Sequence, residues 1–178
     1  MRGPRAALGA VLKAQTGKLR WDMVIRRAAP GDASALGRLG AALMRTHYAF
    51  DAHRFLAPEE GVEAGYAGFL QAQAMDEESI VLVAEQDGAV VGYVYAAIEP
   101  LSWKDLRDEC GYVHDLLVTE AARGTGVGEA LLNRAIEWLR EHGMPRVVLG
   151  TAARNETARR LFERRGFRAT MIEMTLEL

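Results

Sequence analysis

Apolar positions follow two different periods along this chain, and the switches between them predict alternating strands and helices. A β-branched run over residues 24–28 indicates a short strand. Pro30-Gly31-Asp32 ends that strand and offers its aspartate as the cap of a helix over residues 33–45. A second helix is predicted over residues 58–74, because a proline followed by two glutamates is typical of a first helical turn.

The middle of the chain reads as strand. Two β-branched runs, over residues 80–85 and 89–98, flank Asp87-Gly88, which is a strong signal for a hairpin turn. A third run over residues 111–118 predicts another long strand. An antiparallel pair followed by one more strand is therefore expected here.

The last third of the chain returns to helical spacing. Apolar residues recur every three or four positions between Val127 and Gly143, which predicts a long amphipathic helix. Residues 146–150 indicate a buried strand, parallel to the strand before the helix because a helical crossover joins the two. A final helix over residues 156–165 and a final alternating strand over residues 171–178 complete the pattern.

Size and composition limit the classes of protein that fit. The chain has 178 residues, of which 49% are hydrophobic and 26% charged, as expected for one ordinary globular domain. A net charge of -2 argues against nucleic acid as a partner. The single cysteine, Cys110, excludes an internal disulfide, and without a Cys/His cluster we expect no metal. No apolar run approaches the ~20 residues of a membrane span, so we expect a cytoplasmic protein.

The first 22 residues differ in composition from the rest. Five basic residues and no acidic one precede Asp22, which is typical of a targeting or upstream extension. Met23 stands directly before the first predicted strand. We therefore predict an N-terminal extension of unknown role over residues 1–22 and one domain over residues 23–178.

The most informative segment follows the strand over residues 111–118. Arg123, Gly124, Thr125 and Gly126 lead through Val127 and Gly128 into the long helix. Glycines let backbone N–H groups approach an anion, and a helix start adds unpaired N–H groups and partial positive charge. The spacing matches neither a Walker loop nor a dinucleotide fingerprint. The segment predicts a pyrophosphate site, with a simple tight turn as the alternative.

Two motifs resemble one family. Arg123, Gly126 and Gly128 form an Arg-x-x-Gly-x-Gly segment similar to the pyrophosphate signature of the GNAT family of acyl-CoA-dependent N-acyltransferases. The segment from Asn155 to Phe167 resembles that family's Asn-x-x-Ala-x-x-Leu-Tyr-x-x-x-Gly-Phe motif. The resemblance implies an α/β (α+β) GNAT fold, with a mixed central sheet of about six to seven strands and about four helices.

The resemblance also implies where acetyl-CoA, the co-substrate, would lie. It would enter a wedge between the strands over residues 111–118 and 146–150, which pair at one end and splay at the other. Pantetheine would bond to the open backbone edge, and the glycine loop would hold the pyrophosphate. The coenzyme contacts implied in this way are Leu116, Leu117, Val118, Arg123, Gly124, Thr125, Gly126, Val127, Gly128, Asn155, Ala158 and Phe162. Asn155 also fits a helix cap.

Two residues of the central strand are candidates for catalysis. Strand alternation places Tyr112, His114, Leu116 and Val118 on one face and Val113, Asp115 and Leu117 on the other. His114 stands where the family carries its base, and the alternative is a half-buried histidine bonded to a neighbour. The family's usual tyrosine acid is replaced by Phe162. The alternatives are another tyrosine, with Tyr112 and Tyr48 as candidates, a water molecule, or departure of the coenzyme as a thiolate without an acid. Asp115 is expected to be a structural acceptor.

The function expected from these observations is N-acetyl transfer. An acetyl group would move from acetyl-CoA to a primary amine of a small molecule or peptide by direct attack in a ternary complex. A non-catalytic acyl-CoA sensor of the same fold, or an unrelated nucleotide-binding domain, is the alternative. Acidic residues between Glu99 and Glu109 could attract a cationic acceptor or simply be solvated. A homodimer is possible for this family.

Overall fold

The computed structural model of the chain describes residues 23–178, and the predicted extension over residues 1–22 lies outside the described residues. One five-stranded sheet has the order β1-β2-β3-β4-β5. Its strands are β1 (Met23–Arg27), β2 (Ser79–Gln86), β3 (Ala89–Glu99), β4 (Cys110–Val118) and β5 (Val147–Leu149). The helices are α1 (Ala33–Phe50), α2 (Val62–Met75), α3 (Val127–Glu141) and α4 (Glu156–Arg164). No helix within the described range is long and apolar enough to cross a bilayer.

The first four strands pair antiparallel, and β5 pairs parallel to β4 through the α3 crossover, as predicted. The predicted hairpin between β2 and β3 is confirmed: Asp87 and Gly88 have φ values of 51° and 75°, the conformation of a two-residue turn of this kind. The mixed α/β class and the helix count are therefore confirmed.

The sheet has a hydrophobic core on each face. One core packs β2, β3 and β4 against α3 and α4, and its largest buried members include Leu131, Leu132, Trp138, Leu139 and Phe162. The other packs the opposite face against α1 and α2, with Leu36, Leu70, Val83, Tyr93 and Tyr95 buried. Side chains of β4 therefore contribute to both cores.

Two local predictions are wrong in detail. Asp32 stands at the start of α1, but its side chain makes no cap bond to the helix. Its carboxylate instead pairs with Arg26 and accepts a hydrogen bond from the backbone of Ala29. α1 also continues to Phe50, five residues beyond the predicted end at residue 45.

The predicted last strand is also wrong, and the sheet has five strands rather than six or seven. Residues 171–178 form no ladder with the sheet, and their apolar side chains, including Met174 and Leu176, are about 80–90% exposed. The segment's side-chain partner is Arg54, which binds Glu173. An alternating sequence forms a strand only where another strand is available to pair with its backbone. β5 is only three residues long, so it gives the tail little to pair with.

Helices α1 and α2 approach closely at two glycines. A Cβ atom on Gly40 would lie 2.0 Å from the ring of Tyr66, and one on Gly37 would lie 2.3 Å from the backbone oxygen of Glu63. These distances are far below van der Waals contact, so the helices meet across bare backbone. Tyr66 is thereby held flat against α1.

We expect Gly40→Ala to lower the free energy of unfolding by about 1–3 kcal/mol, since the new methyl group must displace the Tyr66 ring. Gly65→Ala is the matched control, because that glycine lies within α2 with open space around it. It should raise stability by up to about 1 kcal/mol. Urea unfolding curves measure both, and equal stability of the two variants would contradict the close approach.

Candidate active site

The sheet opens between β4 and β5. Three residue pairs join the strands, ending at Val113 and Leu149. β5 then stops, whereas β4 continues to Val118 and pairs only with β3 on its other side. The β4 edge over residues 114–118 therefore faces a gap, with no ladder partner on that side within residues 23–178. Backbone N–H and C=O groups along such an edge need partners, and an extended ligand can supply them.

The glycine loop lies at the end of this edge. Gly124 and Gly126 have φ values of 75° and 92°, a conformation that side chains disfavour. Gly126 is also the N-cap residue of α3, directly before Val127. Thr125 closes the turn by donating its hydroxyl to the carbonyl of Ala122 at 2.7 Å. Arg123 is exposed, and its Nε donates to the carbonyl of Val118, which keeps the cation beside the gap.

The start of α3 presents unused N–H groups. The first bond of the helix runs from the N–H of Ala130 to the carbonyl of Gly126, so the N–H groups of Val127, Gly128 and Glu129 precede the helical ladder. A Cβ on Gly128 would touch the side chain of Val118 at 3.4 Å, so the helix start lies against the end of β4. Together with Arg123, this loop can bind a diphosphate anion.

The second motif begins α4. Asn155 caps this helix, because its Oδ1 accepts the N–H of Ala158 at 3.2 Å. Ala158 is partly buried, and Phe162 is buried in the core on the α3 side, edge-on to Phe167 with ring centres 5.9 Å apart. The cap is thus a structural role for Asn155. Coenzyme contacts of these residues stay predictions.

A β-bulge changes the face on which the β4 side chains lie. Tyr95 pairs with Asp115 and Ala96 pairs with Val113, so His114 is an extra residue without a partner on β3. Such bulges redirect a side chain and increase the local twist, and they are frequent beside active sites. The bulge breaks the simple alternation that the sequence predicted.

The predicted faces of β4 are therefore right for residues 115–118 taken together and wrong in relating them to residues 112–114. Leu116 and Val118 pack into the core on the α3 side, as Val113 does. Asp115 bonds to side chains on the α1 and α2 side, and His114 stacks on a ring of that same side. His114 and Asp115 therefore lie on the same side of the sheet, whereas regular strand alternation would place neighbouring residues on opposite sides.

The imidazole of His114 is held on three sides. Its ring stacks on Tyr95 at 4.8 Å and on Tyr112 at 4.6 Å, measured between ring centres. Its Nε2 lies 2.9 Å from Oε1 of Glu99. The side chain is still 30% exposed, so it can reach both solvent and a bound molecule. Both earlier alternatives for His114 fit this arrangement, since it bonds to a neighbour and remains accessible.

Tyr112 lies next to the point where the strands part. Its hydroxyl would be 3.4 Å from a Cβ on Gly150, directly after the end of β5. Burial raises the pKa of the Tyr112 hydroxyl, and nearby Arg107, whose guanidinium lies 5.8 Å from the ring centre, opposes that shift. The hydroxyl is therefore protonated at neutral pH and has a proton to give.

Asp115 is the acceptor of a buried tyrosine pair. Tyr93 and Tyr66 donate their hydroxyls to its Oδ2 at 2.9 and 3.1 Å. Burial raises the pKa of the Asp115 carboxyl above its ordinary value, and the two hydroxyl donors oppose the shift. Because Tyr66 belongs to α2, this carboxyl ties the helix pair to β4. The predicted structural role of Asp115 is confirmed, although Asp115 shares its side of the sheet with His114 rather than facing away from it.

Sequence reasoning missed two members of this site. Tyr95 was assigned only to a strand, and Glu99 only to a stretch of acidic residues. Tyr95 and Glu99 lie four positions apart on β3. An aromatic and an acidic residue at this spacing in a strand are only a weak signal of a functional site. The contact to His114 depends on the bulge, which no local pattern predicts.

Comparison with known proteins agrees with the geometry. A sequence profile of the acetyltransferase (GNAT) family matches residues 43–167. The chain is 31% identical over 147 residues to the uncharacterized N-acetyltransferase YhfO of Bacillus subtilis, which covers 82% of this chain and 89% of that protein. It is 32% identical over 96 residues to the mycothiol acetyltransferase of Cellulomonas flavigena, covering 52% of this chain and 28% of that longer protein.

A solved structure shares the fold. The crystal structure of a predicted acetyltransferase with acetyl-CoA from Clostridium acetobutylicum superposes with a TM-score of 0.64, covering 87% of this chain and 96% of that one at 17% identity. The family profile spans more than half of the chain, and the alignment to YhfO spans most of both proteins. This chain therefore belongs to the GNAT family of acetyltransferases and is an acyltransferase.

Proposed function

We propose that the protein transfers the acetyl group of acetyl-CoA to a primary amine of a small molecule, by direct attack in a ternary complex. The observation that carries the proposal is the position of His114 and Tyr112 where β4 and β5 part. A family that uses acetyl-CoA supplies the donor. The gap in the sheet supplies a place for its extended arm.

The coenzyme would be bound mainly by backbone. Its diphosphate fits the N–H groups of the glycine loop and the start of α3, with Arg123 as the counter-charge. Its pantetheine amides would pair with the open edge over residues 116–118, as an added strand does. The thioester would then reach the end of β5, close to the Tyr112 hydroxyl.

The reaction requires one acetyl transfer and two proton transfers, and different residues of the site can carry out the proton transfers. The amine nitrogen attacks the thioester carbonyl, forming a C–N bond and breaking the C–S bond. His114 takes the proton that the nitrogen loses, and Tyr112 gives a proton to the departing thiolate. A backbone N–H on the open edge of β4, next to the bulge at His114, would stabilise the oxyanion. Proton and charge balance close when the imidazolium of His114 releases its proton to solvent and the tyrosinate of Tyr112 takes one back.

A small acceptor is favoured by the relatives and by the site. The mycothiol acetyltransferase is named for a small-molecule product. In this chain the side chains of Tyr95 and Tyr112 stack on His114 and leave its ring about 30% exposed, an opening that suits a compact amine. A catalytic role is favoured over a sensor role because acid and base candidates stand at the strand gap.

We expect Gly126→Asp to weaken acetyl-CoA binding at least about tenfold, because it strains a φ of 92° and adds a negative charge where a diphosphate should bind. Gly143→Asp is the matched control. It adds the same charge at a positive φ of 77°, beyond the other end of the same helix.

Isothermal titration with acetyl-CoA measures both variants, and circular dichroism checks that each is folded. An equal loss of affinity in the two variants would remove the glycine loop from the coenzyme site. Loss in Gly126→Asp alone supports it.

We expect His114→Ala to reduce kcat about 100-fold or more, and Tyr112→Phe to reduce it about tenfold or more, with acetyl-CoA affinity nearly unchanged. The assay is release of free CoA thiol in the presence of a panel of primary amines. Tyr112→Phe keeps the ring that stacks on His114 and removes only the hydroxyl. Full activity in both variants would contradict these roles.

A further inference from the structure

Glu99 is the last residue of β3 and lies beside the imidazole of His114. The carboxylate Oε1 is 2.9 Å from Nε2. The two side chains are 32% and 30% exposed, so this is a partly buried contact at the rim of the site. Along β3, Tyr95, Ala97 and Glu99 point to the same face, and the small Ala97 leaves room between the other two.

The contact exists because of the bulge. His114 has no partner on β3, and its ring is directed along the strand between Tyr95 and Tyr112. The two stacked rings, tilted by 18° and 29° from the imidazole plane, restrict the plane in which the ring lies. Stacking alone does not decide which ring nitrogen faces the acceptor. A hydrogen bond at one nitrogen does.

We propose that Glu99 is a positioning residue that fixes the tautomer of His114 and makes Nδ1 the basic atom; this inference rests on the proposed function. In the neutral ring, Nε2–H donates to the Glu99 carboxylate, which leaves the lone pair of Nδ1 for the acceptor amine. When the amine loses its proton to Nδ1, the imidazolium that forms stands beside a carboxylate. The proton then leaves to solvent through the exposed side of the ring.

The geometry separates this role from a purely structural one. Glu99 ends its strand, and its side chain is not in either hydrophobic core. Among residues 23–178, the side chain of Glu99 forms one hydrogen bond, and its partner is His114. Removing the carboxylate therefore leaves the packing of the sheet intact and changes what Nε2 can donate to.

The first test is a double-mutant cycle on acetyl transfer. We expect Glu99→Ala to lower kcat at least about tenfold, and Glu99→Gln to lower it less, since an amide oxygen still accepts from Nε2. In the His114→Ala background, Glu99→Ala should change kcat by no more than about twofold. Glu78→Gln is the matched control, because Glu78 is an exposed acid beside the end of β3 whose backbone bonds to Ile98.

An equal loss from Glu99→Ala in both backgrounds would overturn the proposal, because Glu99 would then act independently of His114. Full activity of Glu99→Ala together with loss in His114→Ala would also overturn it. Loss in Glu78→Gln equal to that in Glu99→Ala would assign the effect to general charge and overturn it as well.

The second test does not depend on activity. Nitrogen-15 spectra of the histidine rings distinguish the Nε2–H from the Nδ1–H tautomer, and His114→Gln identifies the His114 signals. We expect the Nε2–H form in the wild-type protein, a mixture in Glu99→Ala and no change in Glu78→Gln. A wild-type Nδ1–H form would overturn the proposal.

The two tests keep the failures of the two proposals apart. If no amine in the panel is acetylated, the proposed function fails and the spectra still decide the orientation of His114. If acetylation occurs and the spectra show no dependence on Glu99, only the role of Glu99 fails.

Discussion

The constraint on which this structure depends is the shortness of β5. Three ladder pairs hold it to β4, and β4 then runs on for five residues with one edge unpaired. A sheet that closed fully would satisfy its own backbone and leave no opening for a ligand. The gap ends at Val118, whose side chain would lie 3.4 Å from a Cβ atom on Gly128 at the start of α3. The open edge and the glycine segment before α3 are therefore adjacent.

The bulge at His114 lets a single strand serve two purposes. Beyond it, Leu116 and Val118 pack into the core beneath α3 and keep the open edge rigid. Asp115 turns to the other side, where Tyr66 binds it from α2. Since Tyr66 is seated against Gly40, the packing of the helix pair is connected through one carboxyl to the residue that follows the candidate base. Helix packing and the site's geometry are thus coupled.

Local chemistry made much of this structure predictable. The Asp87-Gly88 turn and the glycine segment that leads into α3 were predictable from residue type and order, and the structure has both. Effects of pairing were not predictable from one sequence. The bulge depends on the register between β3 and β4, and it places the ring of His114 next to the carboxylate of Glu99. The alternating tail over residues 171–178 looked like a strand, but alternation describes a face and does not supply a neighbour.

Phe162 stands where the resembling family motif has a tyrosine, and its surroundings are apolar. That ring is 8% exposed and packs on Phe167 in the core, where a hydroxyl would need a buried partner. The Tyr112 hydroxyl instead reaches the end of β5 from β4, with half-buried surroundings that keep its proton. Acid and base candidates then stand two residues apart on one strand, with their rings stacked. Because both groups belong to β4, their spacing is set by one strand and by the stacking of their rings, and it does not depend on how α4 packs.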